Sequence, residues 1–506
     1  MPDARSRFYR KYRPFRNFVR SLPRIESLRD LWWYATNVTE GRELPVEFIS
    51  GEPPLDEPLR EILHPWELEL LVREVVLNAS DFGTRTLREW SELATAINHV
   101  RRLDGEAYEC SPDPASDILL ELHRIVHRQF PWQTNKGIAP IIRVLKVFGA
   151  SGLEEVVLRE LNMTVLQFVR LGFAVTGSFQ RNWGMSLNQD YSVLGINRLA
   201  SAELLSRITI PLDKLRAQTA TNQSYDRDWL YAWDPLEAAP LVQFDPEHPD
   251  RVICPIPRFL FRRLTTGIFY DLVRSAGFDN PYGNAFQNYI GDVLKATCIA
   301  PKFRILSEQA YYVGSRKMHG VDWILSDATG HLFIESKTKR LTRQAKIESD
   351  TTALNLDLEV MATAIVQHYR NILDALSGRT DWQPDGKQIY PLVLTLENWF
   401  LFSPRVDELL HDHIGRRLDE ANIARGVLAE MPFTIASAEE FEVASQVIAR
   451  KGIAPLMSSK TSDEKGKWSL MPFLLTNYQD EMAGVRWGLF EDEWSQLLPD
   501  PPSGIG

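Results

Sequence analysis

The sequence predicts an α/β (α+β) protein in which a large, mainly helical N-terminal region precedes a region where strands and helices alternate. Several segments between residues 28 and 220 carry apolar residues at i, i+3 and i+4, the spacing of amphipathic helices. Residues 319–340 contain two β-rich apolar runs around a turn that ends in Gly330, which predicts a hairpin because glycine tolerates the positive φ of such turns. A helix near residues 356–376 and a strand over 389–396 should follow.

Composition shifts divide the chain into three predicted regions. Tryptophans and prolines between residues 221 and 257 interrupt the helical periodicity, so a boundary is expected near residue 255. We expect residues 1–255 to be a mainly α-helical sensor or a substrate- or partner-binding region. Residues 256–400 should form the core that carries the chemistry, and residues 401–506 a C-terminal elaboration packed on it. The last eight residues, PDPPSGIG, are expected to be disordered.

The bulk properties are those of a cytoplasmic protein. Its 506 residues are 44% hydrophobic and 25% charged, which is ordinary for a globular chain. The three cysteines, Cys110, Cys254 and Cys298, are far apart and predict neither a disulfide framework nor a zinc site. No apolar run approaches the roughly 20 residues of a membrane helix, so no membrane association is expected.

Basic residues are concentrated at the N-terminus although the chain has a net charge of −10. Residues 1–24 hold eight Arg or Lys against one acid, with five aromatic residues between them. Two interpretations remain open for this segment. It is either an arm that binds nucleic acid through phosphates and bases, or a solvated or subunit-binding segment whose aromatic side chains are simply packed.

Three ionisable residues interrupt the apolar runs of the predicted hairpin. Asp322 lies in the first run, whereas Glu335 and Lys337 are two apart in the second and therefore share a face. The two carboxylates and the carbonyl of Ser336 would offer hard oxygen ligands to Mg²⁺ or Mn²⁺. Lys337 would orient or help deprotonate the attacking water and stabilise charge on a phosphate. This combination predicts phosphodiester hydrolysis.

Asp322, a spacer and then Glu335-Ser336-Lys337 resemble the motif of the PD-(D/E)XK nuclease superfamily, with Val321 in place of the proline. The superfamily core runs helix, three strands, helix, strand. The chain matches it with a helix over 284–297, a strand around 303–313, the hairpin, and the later helix and strand. The resemblance covers about residues 258–399 and implies a restriction-endonuclease-like core, a mixed sheet flanked by helices.

The resemblance also implies roles for two glutamines. The first helix of the superfamily often carries an acidic residue that faces the metal, and Gln287 stands at that position here. The helix after the motif often carries a glutamine that faces the site, and Gln367 matches it. Both would orient water or the scissile phosphate.

The residues around the motif predict nucleic acid as the substrate. Residues 258–345 hold thirteen basic residues against seven acidic ones, which would attract a polyanion. The expected contacts precede and follow the motif: Arg316, Lys317, His319, Lys339, Arg340 and Arg343.

The sequence thus predicts a Mg²⁺- or Mn²⁺-dependent nuclease, with DNA favoured over RNA. By analogy, the resemblance implies a bacterial anti-phage defence or restriction-type effector. Two alternatives remain: a nucleic-acid-binding scaffold that has the fold without the chemistry, and a regulatory protein that acts through its helical half. A homodimer, or a partner protein bound through the N-terminal region, also stays open.

Overall fold

The computed structural model describes residues 4–49, 57–110, 114–133, 137–462, 465–495 and 497. Within these ranges the fold is mixed α/β, as the sequence predicts. The expected disorder of residues 499–506 falls outside the described residues.

The N-terminal half is mainly helical and contains one small sheet. Its helices are α1 (Ala4–Val19), α2 (Arg24–Glu40), α3 (Leu59–Ile62), α4 (Pro65–Asn78), α5 (Trp90–Glu109), α6 (Pro114–Gln133), α7 (Ala139–Phe148), α8 (Leu153–Leu161), α9 (Val165–Arg181), α10 (Arg198–Arg207) and α11 (Leu212–Asn222). Its strands are β1 (Gly184–Ser186), β2 (Thr209–Pro211), β3 (Leu241–Gln243) and β4 (Arg251–Ile253), in the order β1-β4-β3-β2.

The central part alternates helices and strands. Its elements are α12 (Pro257–Arg263), α13 (Ile268–Leu272), α14 (Asp279–Thr297), β5 (Arg304–Ser307), β6 (Ala310–Val313), β7 (Arg316–His319), β8 (Trp323–Ser326), β9 (His331–Lys337), α15 (Arg343–Ile347), α16 (Thr352–Leu376) and β10 (Ile389–Thr395).

The C-terminal part adds one strand and further helices. They are α17 (Pro404–Glu420), α18 (Val427–Glu430), β11 (Thr434–Ser437), α19 (Ala438–Lys451), α20 (Ile453–Lys460), α21 (Leu470–Asn477), α22 (Gln479–Met482) and α23 (Asp492–Ser495). A capping box between Ser437 and Glu440 starts α19 directly where β11 ends.

The principal sheet has the strand order β11-β10-β9-β8-β5 among the described residues. Strand β8 is antiparallel to both β5 and β9, whereas β9, β10 and β11 are parallel to one another. The carboxyl ends of β5, β9, β10 and β11 therefore lie at one edge, where β8 begins.

The two faces of this sheet are buried in different apolar cores, as the period-2 alternation of its strands requires. Leu332 and Ile334 join a core that includes residues of α14 and α19. Phe333, from the same strand, joins a core formed largely by α16 and α17. The sheet is thus flanked by helices on both faces.

The predicted boundary near residue 255 is crossed by extensive packing. One core brings together residues from Ile141 to Leu497, and a second joins Phe8 to Phe259. Helices α7 to α9 consequently share an interior with the principal sheet, and the first part of the N-terminal region has its own interior.

The structure corrects two secondary-structure expectations. The strand expected over 303–313 is divided: β5 belongs to the principal sheet, whereas β6 pairs with β7 in a separate hairpin. Asp322 lies just before β8 rather than inside a strand. The chain leaves the principal sheet at Glu308 and Gln309, which lie between β5 and β6.

The basic N-terminal segment is a packed helix. Phe8, Tyr12 and Phe15 are fully buried, and the Tyr12 hydroxyl donates a hydrogen bond of 2.6 Å to Glu74. These rings pack against Trp229 and are not available to stack on bases. The aromatic side chains are thus packed, as one of the two interpretations expects, whereas phosphate binding by the exposed cations stays a prediction.

None of the described helices is both long enough and apolar enough to cross a membrane.

Candidate active site

Asp322 and Glu335 meet at the edge of the principal sheet. Trp323 pairs with Ile334 in the register of β8 and β9, so the residue before β8 lies level with Glu335. The backbone N–H of Ser336 donates a 2.6 Å hydrogen bond to Asp322 Oδ2. This bond fixes the Asp322 carboxylate against the end of β9, on the chain segment that carries the other two residues of the motif.

Lys337 contacts the same glutamate. Its Nζ donates to Glu335 Oε1 over 2.6 Å, as expected for two residues that share one face of a strand. Burial lowers the pKa of Lys337, but the negative charges of Glu335 and Asp322 together raise it by more. The pKa of Lys337 therefore lies above its ordinary value. The ammonium therefore stays charged near neutral pH and acts as a donor and a positive charge.

Glu335 also faces a buried histidine. Its Oε2 lies 3.7 Å from Nδ1 of His368, whose Nε2 is 3.0 Å from the carbonyl oxygen of Phe333. Both Oε2 and Nδ1 are buried, and neither has a hydrogen-bond partner among the described residues. A buried carboxylate oxygen without a donor is unfavourable unless a cation or a proton compensates it.

The donor set fits a hard divalent cation. Asp322 and Glu335 supply carboxylate oxygens, one of them unpartnered, and Ser336 supplies a main-chain carbonyl next to them. Within the described ranges, no group of three or more His, Cys, Asp or Glu side chains forms a metal cluster. The candidate ligands are two side chains and one backbone oxygen.

Crowding of the carboxylates changes how Asp322 titrates. Burial and the neighbouring Glu335 raise the pKa of Asp322 to about 7, against the opposing hydrogen bond from Ser336. A carboxyl group whose pKa is higher in the folded state stabilises the fold below about pH 4 and loses that contribution as pH rises through about 7.

Asp322→Asn is therefore expected to be more stable than the wild type at pH 8 when divalent cations are absent. The asparagine keeps an oxygen that can accept from Ser336 N–H, and it removes the charge. The free energy of unfolding should therefore rise by about 2 kcal/mol at pH 8 and change little at pH 4. Denaturant unfolding in EDTA at both pH values measures the difference. A gain that is the same at both values would contradict the assignment of the raised pKa to Asp322.

A third carboxylate, not identified from the sequence, lies beside the pair. Glu308 follows β5 at the same edge, and its charge raises the pKa values of Asp322 and Lys337. Gln287 Nε2 donates to Glu308 Oε2 over 3.1 Å, and His319 Nδ1 lies 2.8 Å from Oε1. Gln287 and His319 thus reach the site through Glu308. Glu308 could have been identified from the sequence as an acidic residue that directly follows a strand, where that strand ends at the same sheet edge as the motif.

The helix after the motif presents His368, rather than its neighbour Gln367, to Glu335. Gln367 Nε2 donates to Asn371 Oδ1, and Asn371 in turn donates to the carbonyl of Gly320, two residues before Asp322. Gln367 therefore supports the segment that leads into the site.

The basic residues predicted to bind nucleic acid divide into two groups. Arg316, Lys317 and His319 are exposed on β7, beside Glu308. Lys339 is ion-paired with Asp357 at 2.6 Å, and Arg343 Nη2 donates to the carbonyl of Tyr231.

Arg340 is a correction to the predicted surface. Its side chain is only 9% exposed, pairs with Glu397 at 2.7 Å and lies 3.8 Å from the ring centroid of Phe269. The Glu397 carboxylate and the Phe269 ring hold the guanidinium largely out of solvent.

No protein-family model matches the chain, and no similar protein was found among curated proteins or solved structures. The geometry and chemistry of the site are therefore what bear on its function.

Proposed function

We propose that the protein is a metal-dependent nuclease of the PD-(D/E)XK type, which hydrolyses phosphodiester bonds and acts on DNA in preference to RNA. The observation that carries the proposal is the convergence of Asp322, Glu335 and Lys337 at one edge of a mixed sheet. Among the described residues, Glu335 Oε2 is buried, has no hydrogen-bond partner and lies beside a second carboxylate. A carboxylate in a purely structural ion pair is rarely left in this state.

The order of elements supports the restriction-endonuclease-like core. Helix α14 is followed by β5, β8 and β9 of one sheet, then by α16 and by β10, which lies parallel to β9. This is the helix, three strands, helix, strand order of the superfamily, with the hairpin β6–β7 inserted before β8.

Each side chain has a role in the proposed reaction. Asp322, Glu335 and the Ser336 carbonyl would hold Mg²⁺ or Mn²⁺, which supplies positive charge to the scissile phosphate and acidifies water. The charged Lys337 donates to the attacking water or to a phosphate oxygen and stabilises the charge that develops there. Glu308 and Gln287 form a hydrogen-bonded pair beside these residues that can orient water.

The hairpin β6–β7 supports nucleic acid as the substrate. Arg316 and Lys317 are exposed on β7, and Tyr312 on β6 is 65% exposed. His319, at the end of β7, contacts Glu308 and so connects this hairpin to the site. Cations contact phosphates and an exposed ring can stack on a base, so binding should weaken as salt rises. The helical region beside the core is consistent with the defence role that the resemblance implies.

The test is divalent-cation-dependent cleavage of plasmid and single-stranded DNA. We expect cleavage with Mg²⁺ or Mn²⁺, none in EDTA, and a loss of about 100-fold in Lys337→Ala, because one preorganised charge at the reacting phosphate is removed. Lys214→Ala, at an exposed lysine on α11, is the matched control and should cleave normally.

Two outcomes would count against the nuclease. Equal cleavage by the wild type, Lys337→Ala and Asp322→Ala would place any activity elsewhere. Binding of DNA without cleavage by the wild type would instead support the scaffold alternative, which Gln287 motivates because it replaces the acid common at that position.

A further inference from the structure

A cavity of about 360 Å³ lies between the N-terminal helices and the carboxyl ends of β10 and β11. One wall comes from α6, α7 and the segment that begins with α12. The opposite wall holds Arg340, Lys346 and residues that follow Thr395, the last residue of β10. Asp322, Glu335 and Lys337 are not among the described residues that line it, so this is a second site.

Its lining is rich in cations. Six basic side chains line the cavity against three carboxylates, Glu237, Glu397 and Glu439; the basic residues are Arg143, Arg258, Arg262, Arg263, Arg340 and Lys346. Two of the six are neutralised by residues outside the lining, because Arg143 pairs with Glu442 and Arg263 with Asp271.

Among the described residues Arg262 forms no ion pair, although the charges of Glu69 and Glu237 act on it. The contacts of Arg262 are a hydrogen bond to the carbonyl of Pro131 and the ring of Trp132, whose centroid is 4.6 Å away. Arg340 and Lys346 share Glu397, at 2.7 and 3.6 Å, and Arg340 also donates to the hydroxyl of Tyr282 over 3.2 Å, so Arg340 is the better compensated of the two. Burial, together with the nearby Arg258, lowers the pKa of Arg262 to about 10. Positive charges held this way gain from an anion brought among them.

Two buried polar atoms of the lining residues also lack a partner. His127 Nε2 and Arg340 Nε are inaccessible to solvent and unpaired within the part of the chain that the structure describes. Buried polar atoms are almost always hydrogen-bonded, so these two lining residues retain hydrogen-bonding capacity that the described residues do not use.

The rest of the lining suits the other parts of a nucleotide. Phe261 and Phe400 are half-buried rings at the cavity, and a base could lie against either. Glu237 and Glu439 can accept hydrogen bonds from sugar hydroxyls or amino groups, while the cations face the phosphate. A volume of about 360 Å³ is at the small end of ligand sites.

We propose that this cavity binds one phosphate-bearing nucleotide, either free or as the phosphorylated end of a strand, with its phosphate on Arg262 and Lys346. Its position would couple the ligand to the candidate active site. Arg340 follows Lys337 by three residues, and Glu397 follows Thr395, whose register partner is Lys337. The binding site does not depend on the proposed nuclease activity.

Calorimetric titration of the full chain without divalent cations tests the proposal. The probes are AMP, GMP, CMP and UMP, with inorganic phosphate as a separate arm. We expect at least one mononucleotide to bind once per chain and more tightly than phosphate. Arg262→Gln and Lys346→Gln should each weaken that affinity about tenfold or more, the usual effect of losing a charged hydrogen bond.

Lys214→Gln, at an exposed lysine outside the cavity, is the matched control and should bind as the wild type does. Lys346 is partly exposed, so Lys346→Gln keeps the test decisive if Arg262→Gln does not fold. Absence of binding by all four mononucleotides, equal affinity for phosphate and nucleotides, or full affinity in Lys346→Gln would overturn the proposal.

A last arm identifies the source of the nucleotide. A short single strand with a 5′-phosphate is compared with the same strand ending in a hydroxyl, each in competition with the bound mononucleotide. Competition by the phosphorylated strand alone supports a strand end as the ligand, and competition by neither supports a free nucleotide.

Discussion

Glu335→Gln is expected to remove cation-dependent cleavage while leaving the metal-free protein at least as stable as the wild type. Glutamine is nearly isosteric, and its carbonyl can still accept from Lys337, 2.6 Å from Glu335 Oε1. Its amide can donate to His368 Nδ1, which has no partner among the described residues. The neutral amide is a weaker ligand for Mg²⁺, and removal of a ligating carboxylate should lower cleavage by about 1,000-fold.

Opposite changes in activity and stability distinguish a functional carboxylate from a structural one. A structural ion pair at this buried position would lose stability when one charge is removed. The measurements are cleavage rates with Mg²⁺ and thermal unfolding in EDTA, with Glu348→Gln at an exposed position as the control. Retained cleavage, or a midpoint well below that of the wild type in EDTA, would refute the assignment of Glu335 as a metal ligand.

The sequence was sufficient to predict the juxtaposition of Asp322, Glu335 and Lys337. A hairpin with period-2 alternation fixes which residues share a face, although Gly330 does not adopt the positive φ expected of the turn glycine. The carboxylates therefore meet because of local geometry that reasoning from residue patterns can reach.

Contacts from other elements were beyond that reasoning. Glu308 reaches the site because the chain leaves the sheet after β5, and His368 because of how α16 is rotated against the sheet. Neither the strand's exit nor the helix rotation is encoded within a few neighbouring residues. Gln367 and His368 are adjacent in sequence, so a small rotation decides which of them faces Glu335.

Charge also proved a poor guide to exposure. The helix α1 carries its cations on one side, yet Phe8, Tyr12 and Phe15 form the buried stripe that an i, i+4, i+7 spacing produces. Arg340 belongs to a basic run but is buried against Glu397 and Phe269. Composition gives the sign of the local charge, whereas tertiary packing decides which cations reach solvent.

Gly291→Ala is expected to destabilise the protein by about 3 kcal/mol, although alanine is the better helix former by about 1 kcal/mol. A Cβ on Gly291 would lie 2.1 Å from an indole carbon of Trp323, closer than atoms can approach. The ring cannot easily move, because it is buried and its Nε1 donates to the carbonyl of Gln287 over 2.9 Å. Any displacement of Trp323 also shifts Asp322, its neighbour, so cleavage should fall as well.

Gly283, in the same helix, provides the matched control. No described atom lies within 4 Å of a Cβ built there, so Gly283→Ala should raise stability by up to about 1 kcal/mol through helix propensity alone. The clash predicts that Trp323→Phe, which shortens the ring, restores part of the loss when combined with Gly291→Ala. Denaturant unfolding of the single and double variants measures this coupling, and additive effects would show that the Cβ at position 291 does not clash with the Trp323 ring.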